Sequence, residues 1–305
     1  MQRVVDISTN GRHLSVSRGH MLVSEHGKEV GRIPLDDIST VLVHAHGITY
    51  SNSLICALSE RNVLMVISNA NQMPVAVLTP LLGHHLQTLR MAAQADVSLP
   101  VKKRMWQKIV STKIRMQAAT LSAFGISSSG FLLLERKVRS GDPENVEAQA
   151  ARRYWPLLFG DTFRRDRSSG GINALLNYGY AILRATCARS IVGVGLNPSL
   201  GIHHHSQSNA LCLADDLIEP FRPLVDATVK NLVDDGILEV SPVAKARLAS
   251  ISCIDIQTSS GYSPLHLCVH RLSQSVVESF VSKELRLEMP STPTSSWFKT
   301  AGRAS

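Results

Sequence analysis

Four carboxylates and three imidazoles are the side chains of this chain whose types and spacing could do chemistry. Asp215, Asp216 and Glu219 lie with His203, His204 and His205 in the run 200–222, and Glu147 lies upstream. The downstream acids sit in an apolar frame of Leu211, Leu213, Leu217 and Ile218. Such placement is costly unless a metal ion, an arginine or water meets the charge. If the helix holding Asp215 and Asp216 runs on to Arg222, with Pro220 as a distortion, Glu219 shares a face with both acids. Acids so placed repel unless a cation bridges them, and Arg222 could neutralise Glu219 instead of a metal. Adjacent helical side chains point about 100° apart, so at most one of the three histidines could join the acids. The chain offers no C-x-x-C for zinc, and no H-x-x-x-H lies within the run 200–222. Carboxylates with a single imidazole suit Mg2+ or Mn2+, and such an ion serves phosphoryl chemistry.

A further acid is wanted, and Glu147 is the preferred candidate. It lies in the first turns of a helix opened by Gly141-Asp142-Pro143-Glu144, with Asp142 as cap, Pro143 in the first turn and Pro156 as the stop. Glu144 shares its face and competes, but the helix dipole accounts for an acid so near the start. Arg152 and Arg153 could pair with a carboxylate or stay solvated.

The net charge of +8 is concentrated. Between Pro100 and Gly170 there are 14 Lys and Arg against 6 Asp and Glu, which leaves the remainder neutral. A field of this kind suits a polyanion, nucleic acid above all, although a solvated helix face would read the same way. Lys102, Lys103, Arg104, Lys108, Arg164, Arg165 and Arg167 are the first candidates for phosphate contacts. The segment lacks the aromatic-rich apolar face of an interfacial helix, and no apolar run reaches membrane-spanning length. An acid at Asp6 comes too early for a secretory signal. The five scattered cysteines read as buried, reduced thiols, so a cytoplasmic protein is expected.

The elements that would position these residues fall into two kinds. Residues 1–80 read as strands, with period-two runs at Arg3–Ser8 and His13–Ser17, a hairpin signal at Asn10-Gly11 and a turn at His26-Gly27. One short helix, capped by Ser51 or Asn52, interrupts them. From Gly83 the period becomes helical, with two helices separated by Ser98-Leu-Pro and a long small-residue helix over 172–192. The expectation is an α+β chain of two domains: a β-sandwich-like scaffold or dimerisation module over 1–80, then an all-α catalytic domain over 81–288. Composition predicts a disordered Ser/Thr/Pro-rich tail over 289–305.

Several of these segments carry a resemblance. Glu147-Ala-Gln-Ala-Ala-Arg-Arg-Tyr-Trp, Asn173-Ala-Leu-Leu-Asn-Tyr-Gly-Tyr, Gly201-Ile-His-His and Asp216-Leu-Ile-Glu-Pro-Phe-Arg-Pro are similar to motifs of the CRISPR adaptation integrases. That family is the first-numbered of the CRISPR-associated proteins, Cas one. Arg32–Val43 and Leu58–Ile67 resemble it too, so the likeness covers roughly residues 1–287, and the His-His-His-Ser-Gln-Ser-Asn wording resembles the type II branch. The resemblance implies a metal-dependent endonuclease/integrase with Glu147, His204 and Glu219 as catalytic metal ligands. His203 and Ile202 depart from the family's Gly-Phe-Leu-His, so the choice between His203 and His204 stays open. It also implies double-stranded DNA as substrate (protospacer and CRISPR repeat), a homodimer, a small ferredoxin-like second-numbered Cas partner and an RNA-guided effector nuclease of a type II system. Two rival readings stand beside it: a nuclease that hydrolyses branched DNA, and a non-catalytic DNA-binding scaffold whose acids pair with Arg222 and its neighbours.

Overall fold

A computed structural model describes residues 3–68, 74–81, 83–258 and 261–301. The strand region holds β1 (Arg3–Ile7), β2 (His13–Ser17), β3 (His20–Glu25), β4 (Lys28–Pro34), β5 (Ile38–Val43), β6 (Thr49–Tyr50), α1 (Asn52–Glu60), β7 (Leu64–Ser68) and β8 (Pro74–Leu78). They form two four-stranded sheets, ordered β1-β5-β7-β8 and β4-β3-β2-β6. Leu14 and Met21 of one sheet, Val41, Val43 and Met65 of the other, and Leu54 and Leu58 of α1 share one apolar core. Ser51 caps α1 by accepting from Leu54 N.

The hairpin expected at Asn10-Gly11 does not form. β1 pairs in parallel with β5 instead, while β2 pairs with β3 in the other sheet. The reason is burial: all six residues of β5 are buried, and a strand covered on both faces needs a partner along each edge. The Asn10-Gly11 turn carries the chain between sheets, pinned where Gly11 N donates to His46 O and His46 N to Asn10 Oδ1. The turn at His26-Gly27 does join a hairpin, β3 to β4, with both residues at positive φ.

The helical part comprises α2 (Gln87–Asp96), α3 (Leu99–Ala123), α4 (Ser129–Lys137), α5 (Val146–Phe159), α6 (Ile172–Gly193), α7 (Cys212–Ile218), α8 (Arg222–Asp234), α9 (Pro242–Ser250), α10 (Leu265–Ser282) and α11 (Ser295–Thr300). It is not all-α: β9 (Asp255–Thr258) and β10 (Gly261–Pro264) pair antiparallel ahead of α10. The alternation Ile254-Asp255-Ile256 buries Ile256, so a strand fits where no helical stripe exists. The fold is thus mixed α+β, strand-rich at the N-terminal end and mainly helical beyond.

The two parts meet through Leu42, Leu64 and Val66, which join the helical core, and through Asp6, which accepts from Tyr178 Oη and Lys245 Nζ. α6 is the central helix. Its Gly179 lets α8 approach so closely that an added Cβ would stand 2.5 Å from Val225 Cγ1.

Two boundaries differ from expectation. Pro156 does not stop α5, which runs on to Phe159. The bond it forgoes would go to the carbonyl of exposed Arg152, where water can serve. The tail is ordered through Ala301: Phe298 is fully buried and Asn231 Nδ2 donates to the carbonyls of Phe298 and Ala301. One large aromatic in the core outweighs the polar composition around it; residues 302–305 lie outside the described residues. Phe298→Ala should therefore lower unfolding free energy by about 3–5 kcal/mol, read from denaturant titration. An unchanged midpoint would show that the tail is not part of the core.

Candidate functional site

Three segments bring the acids together. Glu147 stands in the first turn of α5, whose start is fixed by two side chains. Asp142 accepts from Val146 N and Glu147 N at 2.9 and 3.0 Å, and Asn145, in the left-handed region, is the cap residue in place of Asp142. Glu219 follows α7 at a single 3-10 turn, Glu219–Phe221, and Arg222 opens α8. The third segment is α3, which presents Lys113.

Lys113 Nζ contacts both Glu147 Oε1 and Glu219 Oε2, so the two glutamates share one ammonium. Arg222 Nη1 donates to Glu219 Oε1 at 2.5 Å. The arginine-paired arrangement weighed from the sequence is therefore present, with a lysine added. Glu219 is 5 % exposed; burial would raise its pKa, but Arg222 and Lys113 hold it down at about 2. Lys113 is likewise buried, which opposes its charge, yet the two glutamates raise its pKa. Glu219 Oε2 meets Lys113 as an ion pair only, without a well-aligned hydrogen bond.

His204 is held separately. Fully buried Asp216 accepts from the backbone N–H groups of Ile202, His203 and His204 at 2.6, 3.0 and 3.2 Å. It also pairs with His204 Nδ1 at 2.6 Å, leaving Nε2 as the nitrogen able to take a ligand. Gly201 makes this loop possible, because a Cβ there would lie 2.4 Å from His204 O and 2.9 Å from Asp216 Oδ2. His203 is stacked flat on Trp106, ring centres 4.1 Å apart and planes 1° from parallel, and burial lowers its pKa.

The remaining candidates are placed as follows. Glu144 pairs with Arg139, and Asp215 is taken by Arg184 at 2.7 and 2.9 Å, so neither faces the two glutamates. Lys103, Arg104, Lys108, Arg164 and Arg167 are exposed, and Lys102 is half-buried on α3. Arg165 departs from the expected surface role: it donates to Asn173 Oδ1 and Asn177 Oδ1 and lies over the Tyr180 ring, so it fastens the loop 160–171 to α6. Arg152 and Arg153 are exposed on α5. Among the described residues no three His, Cys, Asp or Glu side chains stand as a ready metal cluster: Glu147 and Glu219 converge, and His204 does not yet join them.

Sequence reasoning missed Lys113 and the task of Asp216. Lys113 had one signal, a cation three and four residues from Val110 and Ile109 on the apolar face of α3. Of the cysteines, Cys187, Cys212 and Cys268 are buried as expected, while Cys56 is exposed.

The strand-plus-helix fold is shared with solved structures. A solved structure entitled "Casposase bound to integration product" matches with a TM-score of 0.78 at 19% identity, over 99% of this chain and 94% of that one. A chain of a "Cas6-RT-Cas1--Cas2 complex" matches with a TM-score of 0.73 at 18% identity, over 99% of this chain and 36% of that one. Residues 5–247 match the family model "CRISPR associated protein Cas1". A CRISPR-associated endonuclease Cas1 of Neisseria meningitidis serogroup C (strain 8013) is 37% identical over 243 residues, 78% of this chain and 79% of that protein. The chain belongs to the Cas1 family of CRISPR-associated endonucleases and integrases.

The Asp216 contact raises the pKa of His204 above its ordinary 6.5 even though burial opposes it. Stability from the charged pair is therefore fully present below about pH 6.5 and lost as the pH rises through the raised value. Asp216→Asn should move the His204 titration, followed by NMR, to lower pH; an unmoved midpoint would remove Asp216 as its partner.

Proposed function

We propose that the protein is a metal-dependent DNA integrase that inserts short foreign DNA into a CRISPR array. The 3′-hydroxyl of a short duplex attacks a phosphodiester at the repeat boundary. One bond to the new strand forms as the bond to the old strand breaks. The observation that carries this reading is the convergence of Glu147 and Glu219 on a single buried cation position beside an imidazole oriented by Asp216.

The donor set fits Mg2+ or Mn2+: two carboxylates that already share a cation, one of their oxygens lacking a hydrogen bond, and a histidine with one nitrogen to spare. Such an ion would offset charge on the scissile phosphate and stabilise the leaving oxygen. Glu147, Glu219 and His204 would hold it. Asp216 keeps His204 Nε2 aimed outward by locking Nδ1 and the loop backbone. Lys102, Lys103, Arg104, Lys108, Arg164 and Arg167 would bind the DNA backbone without reading sequence. In this reading the strand region over 1–80 serves dimerisation, and 81–288 is the catalytic domain. The homodimer is bridged by a ferredoxin-like Cas2-type protein, alongside an RNA-guided effector nuclease of a type II system. A cytoplasmic site of action follows from the array being its target; among the described residues no helix is long and apolar enough to cross a membrane.

Glu147→Ala and Glu219→Ala should each abolish strand joining while leaving DNA binding nearly intact, measured on end-labelled duplexes with separate resolution of joined and merely cut strands. Wild-type joining by either variant would move the site elsewhere, and cut strands without joined ones would favour a hydrolytic nuclease. The basic surface has its own test. Replacing Lys103 and Arg104 together by alanine should reduce the slope of log affinity against log salt by about 1–2. A slope equal to wild type would exclude both from phosphate contact.

A further inference from the structure

Lys113 is 6 % exposed in the apolar interior of the helical part, between Thr112 and Ile114, themselves buried. A lysine there is unfavourable unless its charge is met, and two carboxylates meet it from separate segments. With Arg222 on the other oxygen of Glu219, the group holds two negative and two positive charges and is neutral. That neutrality bears on how a divalent ion could enter. Adding two positive charges to a balanced set whose Lys113 and Glu219 are buried is unfavourable, whereas exchanging them for one ammonium brings the set close to balance again.

We infer that Lys113 is a resident counter-ion: it holds Glu147 and Glu219 at cation-sharing distance, and it must withdraw before a divalent ion can take its place. The inference rests on the reading of the two glutamates as metal ligands. It makes Lys113 a positioning residue. Without the ammonium, the two acids would repel each other and α5 would part from the α7–α8 junction. With it, the site stays assembled without metal, but an incoming ion must compete. Arg222 is not equivalent, because among the described residues it pairs with Glu219 and not with Glu147, whereas Lys113 touches both acids.

The test uses the full chain without DNA, so no activity is read. Lys113→Met keeps the length of the side chain and removes its charge. In EDTA, K113M should melt below wild type, and Mn2+ should raise its Tm more than that of wild type. Calorimetry should show Mn2+ binding roughly tenfold tighter in K113M, because the competing cation is gone. The double variant K113M/E147Q should recover Tm in EDTA, since one unbalanced acid is gone, and should lose the Mn2+ response. A K113M protein that folds only with Mn2+ would also support the inference; one unfolded in both conditions would overturn it. If Mn2+ binds wild type, is lost in Glu219→Gln, and binds K113M with unchanged affinity, the counter-ion role falls while the metal reading stands. If neither wild type nor K113M binds Mn2+, the metal reading falls with it.

Discussion

The sharing of one buried ammonium by two glutamates is the constraint on which the candidate site is built. Lys113, Glu147 and Glu219 come from α3, α5 and the turn between α7 and α8; Glu147 is half-buried, and the buried charges of Lys113 and Glu219 are not tolerable in the interior alone. Each therefore dictates where the other two must stand. Asp142 fixes the start of α5 through two backbone N–H groups. The close approach of α6 and α8 at Gly179 seats the helix that Arg222 opens.

The acids of the site region differ in task because they differ in partner. Asp215 is saturated by a bidentate arginine, and Glu144 is spent on Arg139 at the surface. Asp216 is adjacent to Asp215 in sequence but fully buried, and it organises a loop by accepting three successive backbone N–H groups as well as an imidazole. Only Glu147 and Glu219 share a partner that a metal ion could replace. A carboxylate's role here follows from what it touches rather than from its place in a run of acids.

Much of this was legible in the sequence, and the parts that were not share a cause. The nearness of Glu219 to Arg222 follows from helical spacing, and the preference for Glu147 over Glu144 follows from distance to the helix start. Local signals also located α1, its Ser51 cap and the break between α2 and α3. Partnerships between distant segments left no local trace. The pairing of β1 with β5 depends on a strand thirty-odd residues away being buried on both faces. Lys113 was not singled out from the basic residues of 100–170, because a basic residue gives no sign of which acids will surround it. The tail was misread because composition averages over residues, whereas Phe298 alone decides whether the segment docks.

The flat stack of Trp106 against His203 has a spectroscopic consequence. An indole pressed on an imidazole loses emission when that ring takes up a proton, and this ring belongs to the loop carrying His204. A rearrangement of the loop that separates the rings would take Trp106 out of reach of that proton, so its emission would lose its dependence on pH where His203 titrates. The protein thus carries an intrinsic fluorophore beside the candidate site, sensitive to loop opening without an added dye.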